Sequence, residues 1–209
     1  MASNIVFYTN PMSRGQIARW MLEEVGQPYE MVVLDYDGAM KAADYLAINP
    51  MGKVPAILHD GKVVTECAAI CAYLADTFPD AGLAPPIQRR ADYYRWLFFA
   101  AGPVEAAVTN RALGFAVPEG RERMAGYGTF EHAIDALEQA VAGPAWICGD
   151  QFTAADVYVG SQIDWGLSFG TIPSRPSFEA YAARLRERAA YQRQKELDGA
   201  LIAKMQQPA

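Results

Sequence analysis

Residues 49–70 read NPMGKVPAILHDGKVVTECAAI, and the order of residue types in that stretch decides the fold. Two short apolar runs, 54–58 and 62–65, flank His59-Asp60-Gly61. Asp-Gly between apolar runs suits the left-handed backbone of a two-residue turn, so the pair predicts an antiparallel hairpin. Val54 precedes proline and is pushed toward an extended conformation. A cis bond before Pro55 would turn the chain sharply and leave the Val54 N–H and C=O free of the sheet ladder. Free adjacent backbone groups can pair with a peptide laid alongside, which is strand addition by a ligand. After the hairpin, Thr65-Glu66-Cys67-Ala68 marks the passage from strand to helix, and Ile70, Tyr73, Leu74 and Phe78 fall on one side of that helix. Its first turn offers N–H donors to a carboxylate, while Glu66 can accept from an ammonium.

Working outward, Ile5-Val6-Phe7-Tyr8 is a β-branched and aromatic run closed by Thr9-Asn10-Pro11, a strand followed by a turn. Residues 13–25 place Ile17, Trp20, Met21 and Leu22 at helical spacing, with Gly26 as the stop. A second strand is expected over 29–34 and a less regular helix over 39–48. The order βαβ, α, hairpin, α predicts a mixed four-stranded sheet covered by helices. Pro79-Asp80-Ala81-Gly82 and Pro85-Pro86 then suit a linker. Beyond it only helical patterns occur, over 87–113, 118–141, 153–169, 177–188 and 190–204. The expected organisation is an α/β domain at 1–79, a linker at 80–86 and an all-helical domain at 87–209.

Composition removes several classes of function. Of 209 residues, 52% are hydrophobic and 20% charged, which excludes a disordered chain. Eighteen basic against 24 acidic residues leave a net charge of −6, the wrong sign for a phosphate-neutralising nucleic-acid binder. Cys67, Cys71 and Cys148 cannot all pair within one chain, and the first two lie one helical turn apart. Three reduced thiols in the cytosol are expected. His59 and His132 are distant in sequence and no CxxC or HExxH occurs, so no metal site is expected. The first ten residues carry no basic segment followed by an apolar one, so no signal peptide is read there. The apolar stretch 96–108 is broken by Gly102, Pro103 and Glu105 and is too short to span a bilayer. A soluble, cytoplasmic chain without nucleic-acid or membrane partners is expected.

Two helix starts carry capping patterns. Ser13-Arg14-Gly15-Gln16 is an S-x-x-Q capping box at the end of the first strand. A hydroxyl there can serve as a plain cap, or can donate to an anion held where ligands of α/β units bind. Tyr8 and Asn10 are competing donors. In Phe152-Thr153-Ala154-Ala155-Asp156-Val157, Thr153 and Asp156 form a capping box and Phe152 against Val157 a hydrophobic staple. That pattern is structural, and no chemistry is assigned to it.

Together the quoted residues resemble the cytosolic glutathione transferases of bacterial type. The first part carries Asn49-Pro50-x-Gly52-Lys53-Val54-Pro55, Asp60-Gly61 and Thr65-Glu66-Cys67-Ala68-Ala69-Ile70; the second carries Gly149-Asp150-x-Phe152-Thr153-x-Ala155-Asp156 and Arg186-x-Arg188-Ala189-x-Tyr191. The resemblance covers nearly the whole chain. It implies a thioredoxin-like βαβαββα domain followed by an all-helical one, with glutathione as co-substrate and no metal. Val54 would hold the cysteinyl part of glutathione through its backbone, with Pro55 in cis. Glu66 and Cys67 would bind the γ-glutamyl end. Cys67 stands where the family usually has serine, and a thiol is the weaker donor. Lys41 and Lys53 are the candidates for the glycyl carboxylate. Ser13 would stabilise the thiolate, while Tyr8 sits where tyrosine-type members place their hydroxyl. Met12, Phe115 and Trp165 are the candidate wall for a hydrophobic electrophile. The implied activity is glutathione conjugation or a related reaction such as peroxide reduction, in a homodimer. The alternatives are a non-catalytic docking module, or an ether-cleaving, dehalogenating or isomerising glutathione enzyme.

Overall fold

A computed structural model describes residues 4–207. Its contacts group the chain into two compact units, 1–81 together with 187–209, and 82–186. Glu187–Ala209 thus groups with the first unit, whereas the sequence reading places 87–209 in one helical domain.

The first unit contains strands β1 (Ile5–Thr9), β2 (Glu30–Val33), β3 (Ala56–His59) and β4 (Lys62–Thr65), and helices α1 (Gly15–Val25), α2 (Ala43–Leu46), α3 (Cys67–Thr77) and α9 (Ala189–Met205). The sheet order is β2-β1-β3-β4. β1 pairs parallel with β2 and antiparallel with β3, placing Phe7 between Met31 and Ile57. β3 and β4 form the expected hairpin, and its Asp60-Gly61 turn has φ of 49° and 78°, the left-handed geometry that Asp-Gly permits.

Alternation along β1 divides its side chains between two cores. Ile5 and Phe7 are buried toward α1 and α3 with Ile17, Trp20, Met21, Ile70 and Leu74. Each such side chain contributes about 1.5–3 kcal/mol on burial. On the opposite face, Leu34, Met40, Tyr45 and Ala56 form a second cluster, against which Tyr8 and Val54 pack. Gly26, at φ 71°, ends α1 as the sequence predicts. The 39–48 segment is not one helix: a short 3-10 turn at Ala39–Lys41 and α2 are separated by Ala42, which is extended at ψ 152°.

The second unit is helical: α4 (Ala91–Phe99), α5 (Glu105–Ala112), α6 (Phe130–Val141), α7 (Ala154–Phe169) and α8 (Pro176–Arg186). Pro103 interrupts the expected 87–113 helix, which passes through a π turn at Ala100–Val104 because proline supplies no N–H to the ladder. The expected 118–141 helix starts only at Phe130. Gly120 and Gly128 take positive φ before it, and only a 3-10 turn, Glu122–Met124, forms there. At the α7 start the predicted box is present: Asp156 Oδ2 accepts from the Thr153 amide at 2.8 Å and Thr153 Oγ1 from the Ala155 amide at 3.3 Å. Among the described residues no helix is long and apolar enough to cross a membrane.

Candidate functional site

The 49–54 loop is held from beneath and left open at its end. Tyr45 Oη donates to the Lys53 carbonyl at 2.6 Å and Asn49 Nδ2 donates to the same oxygen at 2.8 Å. Lys41 Nζ donates to the Gly52 carbonyl at 2.6 Å. Burial pushes the Tyr45 phenol up to about 12, so it stays a donor. Gly52 is required here: φ is +56°, and a Cβ would meet the Met40 carbonyl oxygen at 3.0 Å. The Val54–Pro55 bond is cis, and the ladder with β4 begins only at Ala56. Among the described residues neither backbone group of Val54 has a hydrogen-bond partner. Tyr8 packs in the same cluster as Val54, its ring 5.5 Å from that of Tyr45.

Two helix starts meet beside this loop's sheet. Ser13 does not build the expected capping box. Its Oγ donates to the Asn10 carbonyl at 2.7 Å and accepts from the Gly15 amide at 2.9 Å. The Gln16 side chain turns away to donate to the Pro11 carbonyl at 2.6 Å, so no side chain caps α1, whose N-cap is Arg14. The Gln16 backbone amide bonds the Ser13 carbonyl at 3.1 Å instead of its hydroxyl, and Gly15 lies against Thr9, where a Cβ would stand 2.0 Å from Thr9 Oγ1. Cys67, at the start of α3, is buried and places its Sγ 3.6 Å from the Arg14 carbonyl oxygen, which brings the α1 and α3 starts together.

Glu66 is the N-cap of α3 at φ 63°, ψ 118°, with no side-chain cap and its carboxylate exposed. A non-glycine residue in that region costs about 1–3 kcal/mol and is usually held there by its surroundings. Lys53 is exposed at the loop's outer side.

The apolar-wall candidates are not gathered within one unit. Met12 belongs to the first unit and is 52% exposed, its carbonyl accepting from Tyr36 Oη at 3.0 Å. Phe115, in the second unit, is 65% exposed and lines a cavity of about 390 Å³ with Arg111, Tyr127 and Phe130. Trp165 is half-buried and stands edge-on to Phe169. Among the described residues no cluster of three or more His, Cys, Asp or Glu could hold a metal ion.

Sequence reasoning passed over the roles of Tyr45 and Asn49, and read Asn10 as a donor to a ligand rather than as a support of the turn. Asn49 and Tyr45 both hold the Lys53 carbonyl, and Asn10 Nδ2 ties the Ser13 turn to the Leu34 carbonyl at 2.8 Å. Asn49 was within the quoted motif, but an amide that bonds four residues ahead looks the same in sequence as any loop asparagine.

Comparison with known proteins agrees with this geometry. The family profile described as glutathione S-transferase, N-terminal domain, matches residues 12–77, and that described as glutathione S-transferase, C-terminal domain, matches 105–165. Glutathione S-transferase GST-4.5 of Xanthomonas campestris is 30% identical over 78% of this chain and 83% of its own. Glutathione S-transferase GstA of Escherichia coli is 29% identical over 82% and 87%. The solved glutathione S-transferase of a sphingomonad, complexed with glutathione, superposes with a TM-score of 0.76 at 28% identity, covering 93% of this chain and 98% of that one. With both domain profiles matched in order and a 30% identical relative aligned over most of its length, the chain belongs to the glutathione S-transferase family.

Proposed function

We propose that the chain binds glutathione along Val54, stabilises its thiolate at the start of α1 and adds it to a hydrophobic electrophile. The observation that carries this reading is the unpaired Val54 backbone, set against uncapped α1 and α3 starts that are joined through Cys67 and Arg14. A tripeptide laid antiparallel to Val54 would gain two backbone hydrogen bonds. Its γ-glutamyl carboxylate would meet the α3 amides and its ammonium the Glu66 carboxylate, while Lys41 and Lys53 would face the glycyl carboxylate. With a poor donor at Cys67, the α3 backbone amides carry more of that recognition.

A cysteine thiol of ordinary pKa, about 8.5, is only roughly 3% thiolate at pH 7. Lowering it by about two units takes roughly 2.7 kcal/mol of preference for the anion. One charge-assisted hydrogen bond plus the α1 amides is of that size. Ser13 fills this role by turning its proton from the Asn10 carbonyl toward sulfur. A second reading assigns it to Tyr8, whose hydroxyl has no hydrogen-bond partner among the described residues. Met12 would line the electrophile's place on the first unit, and an organic peroxide is an alternative acceptor. The reading includes a cytoplasmic location and a homodimer, in which a partner subunit would cover exposed apolar side chains such as Tyr94 and Phe98.

The test is a pH titration of the thiolate absorbance of bound glutathione in the wild type, Ser13→Ala and Tyr8→Phe. The variant whose titration midpoint rises by one to two units, a loss of thiolate of about 3–25-fold at neutral pH, identifies the donor. If both variants keep every measurable activity, the non-catalytic docking reading replaces this one.

A further inference from the structure

Gln16 lies in the first turn of α1, one helical position beyond the glycine that follows the Ser13-Arg14 turn. Its side-chain amide joins two otherwise separate groups. Nε2 donates to the Pro11 carbonyl at 2.6 Å, and Oε1 accepts from Lys195 Nζ at 3.3 Å and Gln194 Nε2 at 3.4 Å, both on α9. The orientation is fixed by its partners. Exchanging the two ends would set oxygen against the Pro11 carbonyl and NH2 against an ammonium. An amide meets both demands, whereas a carboxylate cannot donate to Pro11 and an ammonium cannot accept from Lys195.

Other contacts hold α9 without it. Arg19 Nε pairs with the buried Asp198 at 2.9 Å, and Arg188 makes two bonds to Glu24 at 2.6 and 2.7 Å. Gln194 is itself anchored on Asp198 at 2.7 Å. The Gln16 bridge is therefore surplus to docking the helix, while its other end bears on the residue two before Ser13. The opposite side of that turn is held by Asn10, whose Oδ1 accepts from the Met12 amide at 2.9 Å.

We infer that Gln16 is a positioning residue: it locks the Pro11–Ser13 turn to α9, so that the Lys195–Gln194 face of the C-terminal helix sets where the Ser13 hydroxyl points. The inference rests on the proposed function for its catalytic consequence but not for the coupling itself. A displaced hydroxyl weakens stabilisation of sulfur without disturbing Val54 or Glu66, so turnover falls while the glutathione KM holds.

The experiment compares the wild type with Gln16→Glu and Lys195→Met in kinetics, thermal unfolding and amide hydrogen exchange. Gln16→Glu retains acceptance from α9 and loses the bond to Pro11. The expected result is a kcat lower by about tenfold with the glutathione KM within about threefold. Exchange at the Met12, Ser13 and Gly15 amides is faster, and Tm shifts by no more than about 4 °C. Lys195→Met gives the same pattern in smaller degree. Unchanged exchange at those amides overturns the inference, as does a parallel change in kcat and KM that tracks a fall in Tm. If the wild type fails to bind glutathione while Gln16→Glu still loosens those amides, the coupling stands and the functional reading falls.

Discussion

The starts of α7 and of α3 are both helix N-termini, and they are finished in opposite ways. At α7 the donors are consumed internally. Asp156 is fully buried and accepts from the Thr153 amide and hydroxyl, from the Ile147 amide at 2.7 Å and from Tyr181 Oη at 2.6 Å. At α3 the N-cap Glu66 turns its backbone to positive φ, keeps its side chain exposed and caps nothing. The start of α1 lies between the two: its N-cap Arg14 makes no side-chain cap, but Ser13 Oγ accepts from the Gly15 amide and the Gln16 and Ile17 amides reach the Ser13 and Arg14 carbonyls. The difference separates a closed start from an open one: a buried side-chain network finishes α7, whereas the α3 start keeps its cap residue's carboxylate exposed, on the side where we propose that the ligand binds.

The largest effect should fall on the closed end. Asp156→Ala strands the Tyr181 hydroxyl and the Ile147 and Thr153 amides in a buried place and removes a cap. It should cost about 3 kcal/mol or more in denaturant unfolding, with glutathione affinity per folded molecule unchanged. Gly15→Ala tests the tight turn: a Cβ 2.0 Å from Thr9 Oγ1 and 3.2 Å from the Asn10 carbonyl should cost about 1–3 kcal/mol by overpacking. Because the turn itself moves, its turnover should fall as well. Glu66→Gly inverts the pattern. Relief at φ 63° should hold or raise stability by about 1 kcal/mol while glutathione affinity falls, as isothermal titration would report. Stability lost together with affinity at Glu66, or affinity lost at Asp156, would break the contrast.

The smallest effect is a pH dependence. Burial raises the phenols of Tyr45 and Tyr29 from 10.0 to about 12. The folded state then keeps protons that the unfolded chain releases, so this stability is fully present below pH 10 and is lost as pH rises toward 12. Alkaline unfolding should show that decline, and Tyr45→Phe should flatten part of it while loosening the loop through the lost bond to Lys53.

Local residue chemistry accounts for which features were legible in the sequence. Asp60-Gly61 between apolar runs, Gly26 after a periodic helix and Thr153-x-x-Asp156 each act through neighbours within a few residues, and each formed as read. The Ser13-x-x-Gln16 box obeys the same local rule and failed. Its Gln16 side chain is engaged elsewhere, by the Pro11 carbonyl and by Lys195 of α9, 179 positions away. The pairing of α9 with α1 depends on Arg19 and Asp198, 179 positions apart, whose complementarity no periodicity displays. The helix expected over 118–141 was overextended because Gly120 and Gly128 interrupt an otherwise permissive composition. At the site, Val54-Pro55 and the acidic residue at the α3 start were visible from their types, whereas the Tyr45 and Asn49 support beneath Lys53 required the folded loop.

Amide chemical shifts recorded while glutathione is added to the 22.9 kDa chain test the contrast between the open and closed helix starts most directly. The account predicts movement at Val54, Cys67, Ala68, Ser13 and Gly15, with the Thr153, Ala155 and Asp156 amides unmoved. Shifts confined to the α7 start, or none at Val54 and Cys67 under saturating glutathione, would contradict it.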